Sequence, residues 1–84
     1  MEERLIGQVN HWFGKIGVAG IELTDRLAVG DHIHFLGHTT DFDQEVTSMQ
    51  IMHQDVSAAS PGDAIGVKAR SKARPGDRVY RMTE

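Results

Sequence analysis

Three segments of this chain carry the same turn. Val29-Gly30-Asp31-His32-Ile33, Pro61-Gly62-Asp63-Ala64-Ile65 and Pro75-Gly76-Asp77-Arg78-Val79 all read Gly-Asp-x-(Ile/Val). Glycine supplies the positive φ of a tight turn, and the aspartate carboxylate hydrogen-bonds backbone close by. A β-branched residue two positions on favours the start of a strand. Three such starts within 84 residues argue for an all-β meander, although the chain shows no true sequence repeat.

Between the turns the apolar period is two. Ile33 and Phe35 alternate with His32, His34 and Leu36, and Ile65, Val67 and Ala69 alternate with Gly66 and Lys68. Met49 and Ile51 alternate with Ser48, Gln50 and Met52. Each alternation turns the apolar side of a half-buried strand inward. The pattern predicts strands near 4–12, 15–24, 31–37, 44–53, 63–70 and 78–82. Ile33, Phe35, Met49, Ile51, Ile65 and Val67 are expected to form the core, with Leu36 and Met52 facing outward. One helical turn is predicted at Asp55–Ala59, capped by Asp55 and stopped by Ser60-Pro61-Gly62. Glycines at 14, 17 and 20 mark bends of the kind found in barrel strands. The expected fold is a small closed barrel of six strands, which leaves no free edges.

A chain of 84 residues holds one core, so residues 1–84 are read as a single domain. That length excludes a complete GTPase or kinase. The net charge of −3 conceals an uneven distribution. Residues 1–67 carry three basic and ten acidic side chains, and residues 68–84 carry six basic and two acidic ones. Overall acidity argues against nonspecific coating of DNA but leaves room for a local basic strip. There is no cysteine, hence no disulfide or thiolate metal site. The N-terminal segment lacks the pattern of a signal peptide, and no apolar run is long enough for a membrane span. A cytoplasmic location without membrane contact is the expectation.

The run Gly14-Lys15-Ile16-Gly17-Val18-Ala19-Gly20, followed by Leu27-Ala28-Val29-Gly30-Asp31-His32-Ile33, resembles the second domain of translational GTPases such as elongation factor Tu. Val46–Ile51 resembles that domain's central strand, Ala59–Val67 its Gly-Asp signature, and Arg74–Val79 its closing turn. The segments are collinear and span nearly the whole chain. The chain is also similar to short translation-elongation-factor-like proteins and, more distantly, to the barrel appended to some collagenase-like U32 peptidases. The first resemblance implies a six-stranded Greek-key barrel and a non-catalytic module that contacts RNA or a translation-related protein. It also implies that Gly14, Lys15 and Gln50 occupy positions that face the aminoacylated end of transfer RNA, with Gln50 in place of an acid. GTP binding is not expected, because no Gly-x-x-x-x-Gly-Lys-(Ser/Thr) loop is present. The U32 resemblance implies a different role, that of a protein-binding accessory subunit.

Other residues are read directly. Trp12 and Phe13, beside Gly14 and Lys15, are candidates for stacking a base or anchoring a partner, or for closing the barrel's end and covering a glycine. Lys68, Arg70, Lys72 and Arg74 alternate with small residues, so an extended backbone would align them for phosphate contacts or for charge protection of an edge. His32, His34 and His38, with Asp41 and Asp43 nearby, raise a metal-carrier reading, although a closed zinc site usually needs four ligands. Solvated histidines are the simpler expectation, and no metal or other cofactor is expected. No serine lies in a nucleophile elbow, so no catalytic residue is assigned and the chain is not expected to be an enzyme.

Overall fold

In a computed structural model the described residues run from 2 to 83 and are strands, turns and loops, with no helix among them. The strands are β1 (Glu2–Phe13), β2 (Val18–Leu23), β3 (Leu27–Ala28), β4 (His32–Leu36) and β5 (Asp41–Glu45). They continue with β6 (Met49–Ile51), β7 (Gln54–Val56), β8 (Ala58–Ala59), β9 (Ala64–Lys68) and β10 (Arg78–Thr83). Eight of them form one antiparallel sheet in the order β5-β4-β10-β1-β2-β9-β6-β7, and β3 pairs with β8.

The three Gly-Asp turns are built alike. Gly30, Gly62 and Gly76 have φ of 100°, 92° and 95°. The carboxylates of Asp31, Asp63 and Asp77 accept hydrogen bonds from the backbone N–H of Ala28, Ser60 and Arg74, three residues earlier. Each aspartate N–H donates in return to the carbonyl of that same residue. Glycine at the third position and proline at the second, in two of the three, are the residues a type II turn selects.

The strand phase follows the sequence pattern. Ile33, Phe35, Met49, Ile65 and Val67 are buried, and Ile51 packs against them while remaining partly exposed. Phe35 stacks on Phe42 at 4.8 Å between ring centroids. Leu36 and Met52 face outward.

The predicted helical turn at 55–59 is not formed. Val56 pairs with Met49 in β7, and Ala58 and Ala59 pair with Ala28 and Leu27. A single helical turn gains too little hydrogen bonding to compete with strand partners on hand. The predicted strand 44–53 is split. Glu45 ends one ladder, and a two-residue turn at Met52-His53 folds β7 back on β6.

The expected closed six-stranded barrel gives way to a curled, open sheet whose edge strands are β5 and β7. Bulges in β1, between Leu5 and Gly7 and between Val9 and His11, bend that long strand. Curling brings β5 close to the segment after β9, but no backbone ladder joins them. The Gln44 side chain spans that gap. Its amide donates to the Lys68 carbonyl (2.7 Å) and its carbonyl accepts from the Arg70 N–H (2.7 Å). The Arg70 guanidinium adds a hydrogen bond to the Asp43 carbonyl and lies 5.8 Å over the Phe42 ring.

Candidate functional site

An apolar groove of about 290 Å³ crosses the outer face of β2, β9 and β6. Strand register sets its floor. Gly20 on β2 pairs with Gly66 on β9, so two adjacent strands lack side chains at the same level. Asn10 and His11 close over Gly20, and Gly66 is left partly exposed. His11 on β1 flanks Gly20, and Gln50 on β6 flanks Gly66. A Cβ at Gly66 would meet Val18 Cγ1 at 3.1 Å, so even one methyl group would begin to fill the groove.

Two hairpin tips form the walls. At the β1–β2 tip, Phe13 (45% exposed) and Ile16 (60%) stand in solvent, and the Phe13 ring lies 4.3 Å from that of His11. At the β6–β7 tip, Met52 is 88% exposed. Met52 and His53 have φ of 51° and 66°, the left-handed region that a two-residue type I′ turn demands. Asn-Gly is the usual solution there, and a methionine is not.

The sequence-derived candidates divide among several places. Gln50 lines the groove and donates from its amide to Asp55 (3.0 Å). Gly14 and Lys15 lie exposed on the β1–β2 tip. Trp12 turns inward and packs against the core, with its indole nitrogen 3.3 Å from a Cβ placed on Gly14. The outward aromatic is therefore Phe13. Lys68, Arg70, Lys72 and Arg74 are all exposed, but β9 ends at Lys68 and the chain bends at Arg70–Ser71, so only Lys68 belongs to the strand. Met52-His53 carries no glycine or asparagine to betray its turn, and the Gly20–Gly66 pairing depends on long-range register. Neither is visible in local sequence.

The histidines on β4 are engaged with acids. His32 Nε2 lies 2.5 Å from Asp43 Oδ2, and this bond lowers the Asp43 pKa below its ordinary value. His34 places Nδ1 at 2.6 Å from Glu3 and Nε2 at 2.6 Å from Asp41. The Asp41 hydrogen bond, aided by Glu3 and opposed by partial burial, raises the His34 pKa. Because the two carboxylates sit on opposite edges of the ring, they share no point with it where a cation could be held. Among the described residues no three histidine or acidic side chains form a metal-binding group. His38 is exposed in the β4–β5 loop. Among the described residues, the side-chain hydrogen-bond partners of His32 and His34 are carboxylates.

The chain superposes on the C-terminal domain of a U32 peptidase from Geobacillus thermoleovorans with a TM-score of 0.88, covering 95% of this chain and 93% of that domain at 18% identity. The fold is that of a U32 peptidase C-terminal domain. A selenomethionine variant of the same domain gives 0.87 at 20% identity. An uncharacterized protease of Methanocaldococcus jannaschii is 46% identical over 80 residues, which is 94% of this chain and 20% of the protease. A collagenase of Porphyromonas gingivalis is 32% identical over 83 residues, 96% of this chain and 23% of that enzyme. The chain thus spans about a fifth of the length of the curated relatives it matches. No protein-family model matches it.

These relatives overturn the resemblance to elongation factor Tu and, with it, the reading as an elongation-factor-like, RNA-binding module. The matched motifs were largely turn glycines and aspartates, which record a backbone path and not a partner. The U32 resemblance is the one the comparisons support. No helix among the described residues is long and apolar enough to cross a membrane.

Proposed function

We propose that this chain is a non-catalytic, protein-binding accessory domain of a U32-type protease. The observation that carries this reading is the 46% identity over 80 residues to one-fifth of a protease. Its near-complete superposition on a peptidase's C-terminal domain fits the same reading. In this reading, a domain that is a small fraction of such an enzyme serves by contact.

The test uses the Methanocaldococcus jannaschii protease with its homologous segment deleted, mixed with this chain and examined by gel filtration. Co-elution is expected, and the chain alone is expected to leave casein and gelatin intact. Hydrolysis by the purified chain would refute the non-catalytic role. Failure to co-elute with a deletion protein shown to be folded by circular dichroism would refute the accessory role.

A further inference from the structure

We infer that the groove over Gly20 and Gly66 receives a large apolar side chain from an acidic stretch of partner polypeptide. This deepens the accessory-domain reading and rests on it for the choice of a polypeptide partner. Three observations converge on the groove.

The first is apolar exposure without compensation. Phe13, Ile16 and Met52 gather on two facing hairpin tips around a floor that lacks side chains at Gly20 and Gly66. Single exposed apolar residues are ordinary, but a cluster rimming a concave floor is the form that anchoring pockets take.

The second is backbone geometry. Two L-residues are held in the left-handed region to build the β6–β7 tip, yet the Met52 side chain obtains almost no burial there. Such a conformation is costly for a bulky residue. A partner that covers Met52 supplies the burial that the free domain lacks.

The third is charge, and it selects the occupant. The Ala69 N–H donates to the Gly17 carbonyl, which fastens the β1–β2 tip to the start of the basic segment. Lys68 pairs in register with Val18 of the groove wall, and Lys15 stands beside Ile16. Arg70 is held away on β5 by the Asp43 carbonyl, so Lys15 and Lys68 are the cations this end of the groove presents. On the far flank, Asp55 is engaged by the Gln50 amide. The groove is therefore apolar at its centre and positive at its Val18 end, where Lys15 and Lys68 stand. Glu22, in register with the lining residue Ala64, flanks the opposite end. The Val18 end complements an apolar anchor followed by carboxylates. A lysine-bearing segment would meet like charge.

The test is a titration of the isotopically labelled chain followed by amide NMR. Two synthetic peptides serve as probes. Both carry a Leu-Phe anchor preceded by uncharged residues and followed by glutamates in one and by lysines in the other. The glutamate peptide is expected to shift the Gly20, Gly66 and Met52 amides and to bind roughly tenfold more tightly than the lysine peptide. Filling the floor with Gly66→Ala is expected to weaken binding, and the pair Lys15→Glu and Lys68→Glu to reverse the preference. Equal binding of both peptides would overturn the inference, as would shifts confined to other strands or no shifts at all. An oligoribonucleotide that moved these amides where the glutamate peptide did not would also overturn it. The probes contain no protease sequence, so the outcome is independent of the co-elution experiment. A chain that co-elutes with the protease but ignores the glutamate peptide would refute the groove alone.

Discussion

Replacing Met52-His53 by Asn-Gly is expected to stabilise the domain. Both positions lie at positive φ, at 51° and 66°. Left-handed backbone costs an ordinary L-residue about 1–2 kcal/mol, and asparagine and glycine escape most of that. Little is lost in exchange, because Met52 is 88% exposed and His53 is also exposed. Glycine gives back about 0.5–1 kcal/mol through the greater freedom of the unfolded chain. The balance is a gain of about 1–2 kcal/mol, or a rise in Tm of roughly 4–8 °C per kcal/mol for a domain of this size. Urea unfolding followed by Trp12 fluorescence measures it, since that ring packs against the core. The midpoint is expected to rise with an unchanged slope. The same variant is expected to bind the glutamate peptide more weakly, because the Met52 wall is gone. An unchanged or lower midpoint would refute the argument from strain and remove one of the three supports for the groove.

Gly37→Ala is expected to destabilise the domain by about 2–4 kcal/mol, because it displaces a buried, hydrogen-bonded carboxylate. A Cβ there would lie 1.8 Å from Asp77 Oδ1, whose partner oxygen holds the Arg74 N–H. Combining it with Asp77→Ala is expected to cost less than the sum of the two, as a double-mutant cycle would show. Phe35→Ala is expected to cost about 3–5 kcal/mol in the same urea assay, since the ring is fully buried. The His34 pKa is raised above its ordinary 6.5, so its stabilising contribution is complete below that pH and is lost as pH rises through the higher folded value. Thermal midpoints measured across neutral pH are expected to fall on the alkaline side, and to fall less in His34→Gln.

The sequence was informative wherever a local rule determined the geometry. The Gly-Asp turns were legible because each needs only positive φ at glycine and a carboxylate three residues from its donor. The inward phase of Phe35, Ile65 and Val67 was legible because period-two burial is written into consecutive residues. Long-range register was not. Nothing near Gly20 announces Gly66 as its neighbour, and nothing near Gln44 announces that its amide reaches Lys68 and Arg70. Turn chemistry misled at 52–53, where a methionine and a histidine occupy positions that a reader assigns to glycine and asparagine. The same turns that revealed the strands also lent the chain its likeness to elongation factor Tu.

The Gln44 amide and the Arg70 guanidinium make the domain a ribbon curled on itself and fastened by side chains, where a barrel would be a ring. A ring cannot be opened without breaking a backbone ladder, but a ribbon can. The easiest opening motion is therefore β5 swinging away from residues 68–70, ahead of any loss in β1, β2 or β10, each of which is paired on both sides. Losing the clasp exposes a strand edge whose outward side chains are Asp41, Asp43 and Glu45, and three like charges repel a second copy of the same edge. The acidity of β5 thus guards against self-association at the edge that the clasp leaves free to part.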